Sequence, residues 1–241
     1  MNLLITNDDG INAQGIAVLA RAAAAFGKVT VVAPARQCSA MSHRITLGHP
    51  LRLEAVDFPV ENVTAYSLDG TPADCVKAAL DAILPEKPDV VLSGINHGYN
   101  VGYDVVYSGT VGAAMEALMN GIPAIAFSNG LPEDYSLAER HLADIARKLM
   151  RSAPGSGRIW NVNFPGVSPE ELRGIAWDAT LANSQMYKES YDVTPQEDGS
   201  LLLRGHGTPL SPDAPVPENS DIACLRRGCI SVGTIKSPVV E

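Results

Sequence analysis

The sequence predicts an α/β fold: a three-layer, Rossmann-like core on a mostly parallel sheet, with a small C-terminal extension. Three observations carry that expectation. Short apolar runs recur along the first two thirds of the chain, among them Leu3-Leu4-Ile5, Val29 to Ala33, Val90-Val91-Leu92 and Ala124 to Phe127. Strands covered on both faces read as such continuous runs, not as an alternation. Helix-like segments lie between them. Finally, several runs stop abruptly at polar, glycine-containing stretches, as strands do where a sheet edge carries ligands.

The first run ends at Asn7-Asp8-Asp9-Gly10. Two adjacent carboxylates resist joint ionisation unless a cation sits with them. A hard divalent ion such as Mg²⁺ or Mn²⁺ would serve, which makes Asp8 and Asp9 candidate metal ligands and catalytic groups. The plainer reading is an Asp-Gly turn with solvated side chains. Gly15 to Phe26 then has the alanine-rich composition of a helix, with Gly27 at its natural stop. Lys28 to Ala33 follows as a β-branched strand, closing a βαβ unit. The helix start lacks the spaced glycines of a dinucleotide site.

Ala35 to His49 is polar and overhangs the same sheet edge as the aspartates. Composition alone favours Ser39 as a turn residue, and leaves His43 and Arg44 either contacting an anion or solvated. Leu51 to Leu68 reads as one or two strands interrupted at Pro59, a lateral hairpin or edge pair. Thr71-Pro72-Ala73-Asp74 opens a helix running to about Leu84, with Asp74 favourable at its N-terminus.

After the Val90 strand comes Ser93-Gly94-Ile95-Asn96-His97-Gly98-Tyr99-Asn100, expected as a cradle in which glycines admit a ligand to the backbone. Asn96 offers a neutral oxygen suited to completing a hard-metal site. Ser108-Gly109-Thr110 opens a small-residue helix. It fits either an anion site at a helix N-terminus or a plain cap. Strands at Ala124, Ile159 and Gly174 and a helix from Leu137 to Ser152 complete the core.

Beyond Leu181 the character changes. The reading is a catalytic domain over residues 1–181 and an extension over 182–241, packing on the core or on a second subunit. Within 182–217 only Leu201-Leu202-Leu203 looks like a strand; a short helix at Ser220 and a last strand at Gly228 to Val232 follow.

A chain of 241 residues with 46% apolar and 19% charged side chains buries a substantial core. Its net charge of -9 argues against a nucleic-acid polymer as partner. Four cysteines without paired spacing are expected as reduced thiols. With no apolar leader and no run long enough to span a membrane, the expected location is the cytoplasm.

Asn7-Asp8-Asp9-Gly10, Gly70-Thr71-Pro72-Ala73-Asp74-Cys75-Val76, Ser93-Gly94-Ile95-Asn96 and Tyr107-Ser108-Gly109-Thr110-Val111, in that order and spacing, resemble the survival protein SurE family. The likeness resumes at Asn161-Val162-Asn163-Phe164-Pro165. The resemblance implies a metal-dependent phosphatase acting on nucleoside 5′- and 3′-monophosphates, and for some members on short polyphosphate. It implies one divalent cation per subunit, held by Asp8, Asp9, Ser39 and Asn96, with phosphate contacts from Asn96, Asn100, Ser108, Gly109 and Thr110. It also implies a homodimer, or a dimer of dimers, clasped by the extension. Two rivals share the acidic sheet edge. A receiver-like regulatory domain would need an isolated acceptor aspartate and about half the length; a zinc deacetylase of amino sugars would need histidine beside the aspartates.

Overall fold

The computed structural model describes residues 1–240. Eleven strands form: β1 (Asn2–Thr6), β2 (Lys28–Pro34), β3 (Leu53–Ala55), β4 (Val63–Leu68), β5 (Val90–His97), β6 (Ala124–Asn129), β7 (Arg158–Phe164), β8 (Ile175–Ala179), β9 (Tyr187–Pro195), β10 (Leu201–Pro209) and β11 (Ile230–Lys236). Five α-helices join them: α1 (Gln14–Ala23), α2 (Pro72–Ala78), α3 (Gly109–Met119), α4 (Ser136–Met150) and α5 (Asp221–Arg226). The turns after α2 continue as a π-helix to Ile83, which extends that helix to the length the sequence predicts.

Nine strands make one sheet in the order β3-β4-β2-β1-β5-β6-β7-β11-β8. The six from β4 to β7 are mutually parallel, β3 is antiparallel at one edge, and β11 is antiparallel to β7. The pleat sends β1 side chains to opposite layers. Leu3 and Ile5 pack with Ile16 and Leu19 of α1 and Leu142 and Ile145 of α4. Leu4 packs on the other face with Cys75 and Val76 of α2 and Ala113 and Ala114 of α3. Leu3, Leu4 and Ile5 are fully buried, each contributing roughly 1.5–3 kcal/mol by leaving water. The three-layer α/β expectation is met. The Leu51 to Leu68 stretch is the expected edge pair, with Leu53 opposite Leu68.

The chain builds outward from β1 in two directions, through β2 and β4 on one side and through β5, β6 and β7 on the other. The reversal falls between β1 and β5, and at such a switch point loops diverge and leave a crevice beyond the strand ends.

Two expectations need revising. The stretch Ser93 to His97, anticipated as loop, is the second half of β5. Its pairing with β6 slips between Ser93 and Asn96, a bulge that aims Asn96 at the sheet edge. Gly94 sits there at φ +135°, and a Cβ would fall 2.3 Å from the Phe127 carbonyl oxygen, so only glycine fits. Second, residues 182–217 hold two nine-residue strands instead of one short one: β9 and β10 pair antiparallel as a separate hairpin. Polar β9 has no buried face, so it shows no apolar run. The short helix and last strand expected near the C-terminus are α5 and β11, and they rejoin the main sheet, β11 lying between β7 and β8.

Candidate active site

Both aspartates follow β1 directly, and Asn7 shapes the turn that presents them. Its side chain accepts from Gly10 N–H (3.2 Å) and donates to Gly10 carbonyl (2.9 Å), while Gly10 takes φ +100°. The turn geometry expected of Asp9-Gly10 therefore exists and coexists with a site.

Asp8 is buried at 4% exposure. Its Oδ1 accepts from the Thr110 hydroxyl at 2.5 Å and its Oδ2 from Thr110 N–H at 3.2 Å. Burial, reinforced by the neighbouring Asp9 charge, outweighs those donors and pushes its carboxyl up to about 6. Asp9 is likewise raised, mainly by burial, although its Oδ2 accepts from His97 N–H at 2.8 Å and its Oδ1 from Gln37 Nε2 at 3.4 Å. Among the described residues neither carboxylate forms an ion pair with lysine or arginine.

Ser39 is exposed at the tip of the loop after β2, and the backbone brings it in: Cys38 N–H donates to the Asp8 carbonyl at 2.7 Å. Further along, Ser42 N–H donates to the Tyr107 carbonyl (2.9 Å) and the His43 ring meets Glu116 of α3 at 2.8 Å. Of the two readings His43 takes the anion contact, with a carboxylate of the protein itself, and so ties the loop to the helix. Asn96 donates its amide to the Gly98 carbonyl at 2.8 Å, so the side-chain oxygen is the end available to a cation.

A cavity of about 300 Å³ opens here, and Asp8, Ser39, Asn96, Asn100 and Ser108 are among its lining residues. Asn100 is held from three sides: its N–H donates to Asn163 Oδ1 (2.9 Å), its amide to Ser128 Oγ (2.8 Å), and its carbonyl accepts from Asn161 (2.9 Å) and Asn163 (3.0 Å). Ser108 caps α3, accepting from Val111 N–H at 3.1 Å, and still reaches the cavity wall. Gly109 packs on Asp8, where a Cβ would lie 2.9 Å from the aspartate Cβ.

The Survival protein SurE family profile matches residues 3–189. The chain belongs to the SurE family. A 5′-nucleotidase SurE of Thermosipho africanus is 41% identical over 238 residues, covering 98% of this chain and 91% of that one. A 5′-nucleotidase SurE of Clostridium botulinum (strain 657 / Type Ba4) is 40% identical over 211 residues, covering 86% and 82%. The crystal structure of the SurE protein from Aquifex aeolicus superposes with a TM-score of 0.82 at 35% identity, covering 98% of this chain and 93% of that one. Family membership displaces the receiver and deacetylase readings.

Within this SurE chain the donors suit a hard divalent cation. Asp8, Asp9, Ser39 and Asn96 offer oxygen alone, and the two desolvated carboxylates lack a protein cation. Among the described residues no group of three or more His, Cys, Asp or Glu is placed to hold a metal. The acidic pair therefore needs neutral oxygens to complete a site.

Thr110 differs from its expected role. It is fully buried and its hydroxyl faces Asp8, away from the cavity wall. Sequence reasoning also missed the His97 N–H on Asp9 and the Asn161–Asn163 brace behind Asn100. The brace had a visible signal, since two asparagines at i and i+2 of a strand share one face. The backbone donor had none.

Proposed function

We propose that this SurE chain is a 5′-nucleotidase. It hydrolyses nucleoside 5′-monophosphates to nucleoside and phosphate, with one divalent cation, Mg²⁺ or Mn²⁺, per subunit. The observation that carries the reading is the Asp8–Asp9 pair, Asp8 buried and Asp9 half-buried, set at the β1–β5 switch point beside neutral oxygens and the start of α3. It is supported by the names of relatives 36–48% identical to the chain.

Asp8, Asp9, Ser39 and Asn96 would hold the cation, which when bound supplies charge neutralisation at the phosphoryl oxygens and acidifies a water. Asn100, Ser108 and Gly109 orient the remaining phosphoryl oxygens at the positive end of α3. Thr110 acts at one remove by fixing both oxygens of Asp8. One of the two carboxylates takes the proton of the attacking water. Because recognition centres on phosphate, 3′-monophosphates and short polyphosphate also enter.

The β9–β10 hairpin clasps a second copy of the chain, giving a homodimer or a dimer of dimers. Tyr191, Val193 and Leu201 to Leu203 stand exposed on it, an apolar surface that a monomer would leave in water. Cytoplasmic work suits its four unpaired cysteines, and no described helix is long and apolar enough to cross a membrane. The test is phosphate release from AMP with Mn²⁺ or Mg²⁺ and with EDTA. Wild type turns over only with metal, and Asp9→Asn, still folded, loses nearly all activity and metal affinity. An active Asp9→Asn protein sinks the metal-centred mechanism.

A further inference from the structure

Two cations share one rung of the sheet at the start of β7. Arg158 and Lys236 are direct partners in the antiparallel β7–β11 pair, so their side chains project from the same face. Among the described residues neither forms an ion pair. Like charges placed directly opposite destabilise a sheet, and this pair occurs in a chain whose net charge is -9. Arg158 is also held in place. Its Nη1 donates to the Thr234 hydroxyl at 3.1 Å, and its stem lies on the open face of Gly155, where a Cβ would sit 3.3 Å from Arg158 Cδ.

Both cations line a cavity of about 420 Å³, together with Asp178, Thr180, Leu181 and Thr234. The β8–β11 register slips beside it. Ser231 pairs with Ala176 and Gly233 with Ala179, so Trp177 and Asp178 stand where β11 has only Val232. The seven residues of β7 separate this cavity by roughly 20 Å from the sheet edge that carries Asp8.

We propose that this cavity is a second anion site, which binds the phosphate ester of a small sugar or polyol. Arg158 and Lys236 take the phosphate, and the guanidinium fork suits its oxygens. The bound anion relieves the repulsion between the two cations. A lone phosphate ion would fill a small part of the cavity, whose volume is that of a site for a small organic molecule. Asp178 is the one carboxylate in the lining and pairs with neither cation, so it offers an acceptor to the hydroxyls of the organic part. Neither cation takes part in the nucleotidase chemistry, so the two sites stand or fall separately.

Calorimetric titration of the full chain with glycerol 3-phosphate, in EDTA at constant ionic strength, tests the site. Without a cation the Asp8–Asp9 pair repels phosphate, leaving one binding event per chain. Arg158→Ala and Lys236→Ala each weaken it at least tenfold, the loss of one charge-assisted contact. Lys236→Glu can pair with Arg158 instead, so it melts no lower than wild type and binds no ester. Undiminished binding in these variants overturns the proposal. Wild type alone gives a second measure: glycerol 3-phosphate raises its melting temperature and sodium chloride at the same ionic strength does not. Equal shifts reduce the effect to screening and overturn the site. Inorganic phosphate binding as tightly as glycerol 3-phosphate overturns the assignment to an ester.

Discussion

Thr110 is invisible from the cavity, yet it holds both oxygens of the most buried carboxylate in the site. Replacing it with valine keeps the shape of the side chain and removes the hydroxyl, leaving one backbone donor on Asp8. A hydrogen bond to a charged group contributes about 1.5–3 kcal/mol. Thr110→Val should therefore lower kcat/KM by roughly ten- to a hundredfold while folding normally. Steady-state kinetics alongside circular dichroism checks this, and wild-type kinetics in the variant would remove Thr110 from the machinery. Gly109 makes the complementary point through space instead of charge. A methyl group there collides with Asp8, so Gly109→Ala should displace the carboxylate and weaken Mn²⁺ binding by about tenfold, measured by titration calorimetry. Undiminished affinity would mean that Asp8 tolerates the shift.

At the scale of elements, the loop after β2 matters most because it carries Ser39 and has no regular structure of its own. Three contacts dock its outer part: Ser42 N–H on the Tyr107 carbonyl, the Ser42 carbonyl against the bare face of Gly112, and His43 on Glu116. Glu116 is buried at 6% exposure and also lies 3.5 Å from Lys77 and 3.0 Å from the Asn120 amide. The His43 hydrogen bond, more than any other contact, holds its carboxyl below the usual glutamate range. A depressed folded-state value means that stability is present above the unfolded value, here the ordinary 4.5, and is lost as pH falls below it. Glu116→Gln should thus melt lower than wild type at neutral pH, by about 1–2 kcal/mol, with the two curves converging under acid. Parallel curves down to low pH would show that Glu116 adds nothing by its charge.

For the whole molecule, the sheet and the hairpin are separate in their strand pairing and meet at the hairpin's root. The hairpin is a two-stranded sheet of its own, whereas β11 sits inside the large sheet with neighbours on both sides. Excising residues 188–208 through a short glycine linker should leave a cooperatively melting core and convert the proposed homodimer to monomers, read by light scattering. A chain ended at residue 219, by contrast, loses α5 and β11 and should not fold, since β7 and β8 would be left with open edges in the core. A core that survives that truncation would make the C-terminal strand dispensable.

The sequence made the core legible because burial on two faces leaves an unmistakable trace, the short apolar run. Leu3 to Ile5, Val29 to Ala33 and Val90 to Leu92 all became strands of the central sheet. The hairpin was half legible, since Leu201 to Leu203 stood out and polar β9 did not. An exposed strand has no partner layer to impose a pattern, and its pairing lies in backbone hydrogen bonds that composition does not record. The candidate site was legible as chemistry: adjacent aspartates, a glycine-rich stretch and a serine-threonine cap each announce an anion or a cation. Which of those groups face one another was not, and Thr110 shows the limit.

By itself the sequence determined the fold class, the site's residue types and, through motifs in register, the family. Tertiary structure decided which loops meet. The strand order reverses between β1 and β5, and that reversal alone brings Asp8 beside Asn96 and draws Ser39 in through Cys38. It also put Tyr187, from a segment without any motif, on the wall of the same cavity. Short-range patterns report what a residue needs; contacts separated by 30 to 180 positions follow from topology, which no local pattern encodes.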